Sequence, residues 1–298
     1  MKNLAPIIVF TYNRLNNLKS CINSLKKNKL CYKSKIYFFS DGPKNSSDKP
    51  KIKNIRDYIR KLKGFKKKII IERKQNFGLA KNIIHGVTHT LKKEKKAIIL
   101  EDDLIVNSFF LKFMNNSLEK YEKNQKVWHI SGWNYNINIS TKHDCYFTRG
   151  MNCLGWGTWL DRWKHFEKKP KKIINNWDKN KIKEFNFDNS INFYSQILRN
   201  YNNQLNSWAI FWYATIFYKN KLCLNPTKTF TQNLGVSKSA TNTKSIENTF
   251  NSVLTNFEYQ NFNYPNKIIE NEEIYKIIKR NFKLNKYKNI IKKVLYIQ

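Results

Sequence analysis

Acidic residues are scarce in this chain: 21 Asp and Glu stand against 56 Lys and Arg, a net charge of +35 over 298 residues. So large an excess attracts anionic partners at low salt. Nucleic acid is the first to weigh, because basic surfaces bind phosphate backbones through counterion release. The lysines, however, are spread along the whole chain among Asn, Ile, Tyr and Phe, without a helix-turn-helix, zinc-finger or RNA-binding aromatic motif. No specific nucleic acid is therefore expected as a partner, whereas an anionic membrane surface is. Long apolar runs are missing too. The run from Trp208 to Tyr218 is well short of the roughly 20 residues that span a bilayer and reads as a buried helix. The five cysteines show no C-x-x-C spacing, so neither a zinc site nor a disulfide framework is indicated, and their odd number suits a reducing compartment. The first apolar stretch is about five residues and lacks a cleavage region, so no secretory signal is read. The expected location is cytoplasmic, peripheral at the inner face of a membrane. Also absent are a glycine-rich dinucleotide fingerprint and a phosphate-cradling Gly-Lys-Ser/Thr loop, which counts against a nicotinamide enzyme and an ordinary P-loop ATPase.

What is present is an alternation of short apolar runs and helical periodicities. Pro6 to Phe10, Ile36 to Phe39, Lys68 to Ile71 and Ala97 to Leu100 read as strands. Between them Leu18, Cys21, Ile22 and Leu25 fall at helical spacing, a second helix covers Ile52 to Leu62, and a third runs from Leu79 through Ile83 and Val87 to Leu91. Such an order predicts an α/β fold with a mostly parallel sheet covered by helices on both faces.

Each strand ends in polar residues: Asn13 and Arg14, then Asp41 and Gly42, then Asn76, then the triplet Glu101-Asp102-Asp103. In parallel sheets ligands bind beyond the carboxyl ends of the strands, so these residues converge on one edge. Adjacent carboxylates at about 4 Å repel by roughly 1 kcal/mol in water and about 4 at an effective dielectric near 20. A solvated acidic loop tolerates that repulsion; a divalent cation such as Mn²⁺ or Mg²⁺ turns it into binding energy. Asp41 suits a base or ribose and Arg14 a phosphate. A metal-neutralised nucleotide-diphosphate sugar meets all these demands.

Here the sequence resembles bacterial glycosyltransferases of the GT-A fold related to glycosyltransferase family 2, and is similar around the acidic triplet to N-acetylglucosaminyltransferase I. The resemblance rests on Phe10-Thr11-Tyr12-Asn13-Arg14, Ser40-Asp41-Gly42-Pro43, Asn76-Phe77-Gly78-Leu79-Ala80-Lys81-Asn82, Ile99-Leu100-Glu101-Asp102-Asp103-Leu104, Ile130-Ser131-Gly132, Leu154 to Trp159, Ser207 to Trp212 and Gln232-Asn233-Leu234-Gly235. It implies a GT-A, Rossmann-like sheet with a helical acceptor-side half, and a hexosyl- or N-acetylhexosaminyltransferase acting in surface polysaccharide or lipooligosaccharide synthesis, inverting, on a glycan or lipid-linked acceptor. By the same resemblance Asp103 ligates the metal and Asp102 sits near the ribose or a metal-bound water. Glu101 supports the base or loop, Thr11, Asn13, Arg14 and Asp41 line the nucleotide pocket, and Asn76, Gly78 and Lys81 lie near the diphosphate. For Asn76 to Asn82 a plain capped helix N-terminus is the alternative.

The second half carries the acceptor expectations. Gly155, Trp156 and Trp208 are candidate acceptor contacts, with core packing the alternative for Trp156 and the expected role of Trp159 and Trp163, two rings placed on one helical face. Relatives carry an Asp beside the Ser-Trp and a His beyond the Asn-Leu-Gly; this chain has Asn206, Ala209 and Thr241-Asn242-Thr243 there. The general base is thus unassigned, with Glu167 and Asp188 the acids to try first, and a degenerate, donor-binding relative is the rival reading. His85 and His89 share a helical face, toward solvent or a metal. The organisation expected is a nucleotide-sugar half over 1–126, an acceptor half over 127–245, and a mobile segment with basic C-terminal helices over 246–298. In the last of these Ile290, Ile291, Val294 and Leu295 form an apolar face that either docks on the protein or lies in a membrane interface.

Overall fold

The computed structural model describes residues 3–234, 253–254, 257 and 261–295, with side chains in the final helix described as far as residue 286. The first half alternates as expected. Strand β1 (Ile7–Thr11) leads to α1 (Leu15–Lys26), β2 (Lys35–Ser40) to α2 (Asp48–Lys61), and β3 (Lys67–Glu72) to α3 (Leu79–Glu94), before β4 (Lys96–Glu101). All five residues of β1 are buried, the pattern of a parallel strand covered on both faces. Helix α1 buries Leu18, Cys21, Ile22 and Leu25, the set its periodicity singles out. Helix α2 begins four residues before the apolar pattern does, at Asp48, with Pro50 in its first turn, where proline is tolerated.

After β4 come β5 (Leu104–Val106), α4 (Phe110–Lys120), β6 (Val127–Ser131), β7 (Cys145–Thr148) and β8 (Trp156–Trp159). Four helices follow, α5 (Leu160–Trp163), α6 (Pro170–Asn176), α7 (Lys179–Phe185) and α8 (Tyr194–Tyr201), then α9 (Ala209–Tyr218). Strands β9 (Leu222–Pro226) and β10 (Thr231–Asn233) precede the last helix, α10 (Glu272–Leu295). Among the described residues one sheet takes the order β3-β2-β1-β4-β8-β6-β9-β7. Its first four strands are mutually parallel, β6 and β9 pair in parallel, and β8 and β7 run against their neighbours. The result is the mostly parallel, helix-flanked α/β architecture expected of a GT-A fold. The second half is helical and also extends this same sheet.

Alternate strand residues feed two cores. Ile7, Val9, Ile36, Phe38, Ile98 and Leu100 pack with α1, α2 and α4, whereas Ile8, Phe10, Tyr37, Phe39 and Ile99 pack with α3 and a tryptophan cluster. Each fully buried Ile or Leu contributes about 1.5–3 kcal/mol. Helix α3 lies so close to the sheet that a Cβ on Gly86 would meet the Phe10 ring at 2.6 Å. A third core joins Trp133, Tyr146, Phe185 and Phe211 to Ile274, Ile278 and Phe282 of α10, so the start of that helix docks on the protein. The face built from Ile290 to Leu295 lies outside the described side chains. No helix among the described residues is long and apolar enough to cross a membrane.

Trp159 and Trp163 do not share a helical face. Trp159 ends β8 and donates its indole N–H to Leu118 O at 3.1 Å, while Trp163 closes α5 and donates to Thr88 Oγ1 at 2.9 Å, in the other core. Four residues of Trp-Gly-Thr-Trp fit a β-strand as well as a helical turn, and pairing with Lys96 to Ile99 decides between them.

Beside these indoles His129 is fully buried, stacked on Trp156 with ring centroids 5.3 Å apart. Its Nε2 lies 2.9 Å from Asn152 O, and its Nδ1 accepts the Trp212 indole N–H at 3.2 Å. That pairing requires a neutral ring protonated at Nε2, since a second ring proton would face the indole donor. Burial lowers its pKa to about 3 against the ordinary 6.5. A depressed histidine contributes stability that is complete above pH 6.5 and lost as pH falls toward 3. The expected slope is about 1.4 kcal/mol per pH unit below 6.5. Denaturant melts at pH 7, 5 and 4 should show that slope in the native protein and a flatter one in His129→Gln; equal slopes would refute the assignment.

Candidate active site

The carboxyl end of β1 organises the site, because its neighbours on both sides bond to it. Asp41 N donates to Thr11 O at 2.9 Å from the β2 side, and Asp102 N donates to Phe10 O at 3.0 Å from the β4 side. Two polar clusters therefore flank one strand end, brought from residues about 60 apart in sequence.

On the β4 side, Asp102 is buried. Its Oδ2 accepts the Tyr12 backbone N–H at 3.2 Å and its Oδ1 the Arg14 guanidinium at 2.6 Å. The other terminal nitrogen of Arg14 reaches Asp103 Oδ2 at 3.0 Å. One guanidinium thus serves two adjacent carboxylates. Among the described residues no such partner is seen for Glu101, and burial, then Asp103 and Asp102, raises its pKa to about 8. Asp102 rises to about 6, chiefly through burial against the opposing pull of Arg14. Burial opposes the charge of Arg14, but Asp102 and Asp103 outweigh it and hold its pKa above the ordinary value. The Cys153 thiol, in the loop before β8, is raised to about 12 by burial and then by Glu101.

The donor set is all oxygen, which suits a hard divalent cation. No group of three His, Cys, Asp or Glu among the described residues is arranged to enclose an ion. An ion held through one or two carboxylates that takes its other ligands from water and substrate phosphates fits that donor set.

On the β2 side the aspartate is saturated. Asp41 Oδ1 accepts from Gly42 N at 2.9 Å and Phe77 N at 2.8 Å, while Oδ2 accepts from Gly78 N at 3.0 Å and Asn76 Nδ2 at 3.3 Å. A carboxylate offers about four lone-pair sites, so nothing remains for a base or ribose. Instead Asp41 ties the β2 turn to the loop entering α3, and Asn76 Nδ2 adds a bond to Gly42 O at 2.9 Å. The two loops touch so closely that a Cβ on Gly42 would lie 2.3 Å from the Gln75 carbonyl carbon. Gly78, at φ +72°, turns the chain into α3 with no side-chain cap. Lys81, in the first turn, places Nζ 4.6 Å from the Phe77 ring centre.

Asn13 and Tyr12 are held by Asp48, whose role sequence reasoning missed. Asp48 accepts from Tyr12 Oη at 2.5 Å, from Asn13 Nδ2 at 3.0 Å and from Lys44 N at 3.3 Å. The available signal was an aspartate two residues before a proline at a helix start. Burial and then Asp48 raise the Tyr12 pKa to about 12. Thr11 is buried, and its Oγ1 has no hydrogen-bond partner.

Strand β10 pairs antiparallel with β5, and Leu234 N donates to Asp103 O at 2.8 Å. The Gln232-Asn233-Leu234 segment is thereby brought against the acidic triplet; Gly235 and Thr241 to Thr243 lie outside the described residues.

The acceptor-side residues sit deeper than expected. Trp156 is 1% exposed and Trp208 3%. Their rings stack at 5.1 Å, and Trp156 stacks on His129 as well, so both indoles act in packing. Gly155 adopts φ +78° beneath Leu100 and Thr231. Glu167 pairs with Lys172 at 2.8 Å, and Asp188 with Lys279 at 2.6 Å. The triplet's own ion pairs are with Arg14, a different cation from either. Asn206 accepts a bond from Lys168 Nζ. His85 and His89 stack at 6.0 Å, with Arg73 2.7 Å from His85 Nδ1, a setting that repels a cation.

The Glycosyl transferase family 2 model matches residues 7–231. No curated protein matches the chain. Among solved structures it is similar to S. aureus TarS 1-349, at 10% identity and TM-score 0.44, covering 78% of this chain and 60% of that one. It is also similar to mannosyltransferase PcManGT from Pyrobaculum calidifontis in complex with GDP-Man and Mn²⁺, at 10% identity and TM-score 0.40, covering 72% and 68%. GalNAc-T7 with UDP, GalNAc and Mn²⁺ gives 10% identity and TM-score 0.49, covering 76% of this chain and 42% of that one. The chain therefore spans less than two thirds of TarS 1-349 and of GalNAc-T7.

Proposed function

Because the chain belongs to glycosyl transferase family 2, we propose that it moves a sugar from a nucleotide-diphosphate donor to a hydroxyl of a glycan or lipid-linked glycan. The observation that carries this reading is the pair Asp102 and Asp103, held under one guanidinium at the carboxyl edge of a mostly parallel sheet. Asp103 holds Mn²⁺ or Mg²⁺, with Asp102 beside it. When bound, the ion neutralises charge that develops on the leaving diphosphate. Asp102 fixes the Tyr12 backbone and Arg14, and Asp48 fixes the Asn13 side chain that faces the nucleotide. Asp41 aligns Asn76 and Gly78, and Lys81 follows in the first turn of α3, where free N–H groups and the helix dipole favour phosphate.

In the transfer the bond from the anomeric carbon to the diphosphate oxygen breaks, and a bond to the acceptor oxygen forms. An inverting outcome is a single displacement in which a base takes the hydroxyl proton. The donor we propose is a hexosyl or N-acetylhexosaminyl one, and the charge of +35 favours an acceptor at an anionic membrane, as in lipooligosaccharide or surface polysaccharide assembly. Calorimetric titration with UDP, GDP and CMP, with and without Mn²⁺, tests the reading. Metal-dependent binding of one nucleotide is expected, and no binding of any would defeat it. Asn206 and Ala209, standing where relatives carry a carboxylate, favour a second reading in which donor is bound but not transferred; donor hydrolysis or transfer above background would remove it.

A further inference from the structure

Arg14 occupies an unusual position for a residue that meets a donor: its charge is already spent on the carboxylates that would hold the ion. The guanidinium forks across two side chains, with Nη2 2.6 Å from Asp102 and Nη1 3.0 Å from Asp103. The carboxylates are fixed and enclosed, with side chains 3% and 13% exposed, whereas the Arg14 side chain is 39% exposed. Its backbone is anchored at the start of α1, where its carbonyl accepts from Leu18 N at 3.1 Å. Of the three groups, the guanidinium is the most exposed, and it sits on a long flexible stem. Coordination of a divalent cation by Asp103 removes one of its two partners and sets a second positive centre beside it.

We propose that Arg14 stands in for the metal on Asp102 and Asp103, and transfers its fork to the diphosphate of the donor when the cation arrives. This inference rests on the metal-dependent reading of the site. Without the ion, the guanidinium keeps adjacent carboxylates aligned despite their repulsion. With ion and donor present, the same planar fork matches the paired oxygens of a phosphate. Metal and nucleotide then bind with positive coupling, because each favours the displaced position of Arg14, and the coupling is reciprocal.

The test measures Mn²⁺ binding to the full chain after chelation, from the free-ion electron paramagnetic resonance signal, with and without UDP. Arg14→Gln and Arg14→Lys are compared with the native protein, with melting curves run alongside to confirm folding. Arg14→Gln should bind Mn²⁺ about tenfold tighter without nucleotide, or 1.4 kcal/mol, because no resident cation must be displaced. Its Mn²⁺-dependent affinity for UDP should fall by about the same factor. Arg14→Lys keeps the charge but not the fork, so it should hold Mn²⁺ affinity near native while losing UDP affinity. A side chain that merely props up the carboxylates predicts the opposite, weaker metal binding in Arg14→Gln. That result, or an unchanged Mn²⁺ affinity, overturns the proposal. Tighter metal with unchanged UDP binding overturns the exchange. If neither native protein nor Arg14→Gln binds Mn²⁺ with or without UDP, the metal reading itself falls and takes this inference with it.

Discussion

Asp103→Ala should abolish metal-dependent donor binding and lower kcat/KM by about 10³-fold or more, some 4 kcal/mol of transition-state stabilisation, while leaving the fold intact. The size follows from how little the protein offers the ion. With no enclosing group of three ligating side chains among the described residues, loss of one carboxylate removes most of the protein's hold. The fold survives for two reasons. Asp103 lies two residues past the end of β4 and bonds to Leu234 through its backbone carbonyl, which alanine keeps. Its removal also takes away an influence that, after burial, pushes the Glu101 pKa up to about 8. Melting temperature should therefore change little or rise. Calorimetry with UDP and Mn²⁺, beside a thermal melt, checks both halves. A native melt with unchanged nucleotide affinity would remove the metal assignment; a collapsed melt would make Asp103 a structural residue.

Much of this was legible because buried parallel strands write themselves as apolar runs. Ile7 to Phe10, Ile36 to Phe39 and Ala97 to Leu100 need no alternation, and each is cut off where the chain leaves the sheet toward solvent. The same exits mark the candidate site, so Arg14, Asp41 and Glu101 to Asp103 were singled out by position. The second half was harder. Strands of four or five residues, such as Cys145 to Thr148 and Trp156 to Trp159, are too short for a period of two to stand apart from a helical turn, and only pairing fixes them. Asp48 escaped because its partners Tyr12 and Asn13 lie 36 and 35 residues away, and nothing local announces a contact at that separation. For Asp41 the position was legible but the four donors it meets were not. Which ligand a carboxylate can meet depends on how many donors the fold has already aimed at it, and that number appears only in three dimensions.

That difference makes Asp41→Ala the second large effect, and one on stability as much as on binding. Asp41 is 5% exposed and receives three backbone N–H groups, from Gly42, Phe77 and Gly78, besides the Asn76 amide. Alanine leaves those donors unpaired, and each unsatisfied buried group costs about 1–3 kcal/mol. Non-additivity and water entering the gap bring the expected total to about 3–5 kcal/mol. Asp41→Asn should fare only partly better, because its NH₂ group turns a donor toward groups that are themselves donors. Donor affinity should fall in step with stability, since Asn76, Gly78 and the start of α3 lose their alignment. Gly42→Ala provides the control, forcing apart the same two loops through a Cβ 2.3 Å from the Gln75 backbone while leaving the carboxylate untouched. If Asp41 acts through loop position, both variants weaken nucleotide binding and both lower the melting temperature. If Asp41→Asn instead melts like the native protein yet loses nucleotide affinity by 100-fold or more, the carboxylate contacts the nucleotide directly and the clamp is incidental.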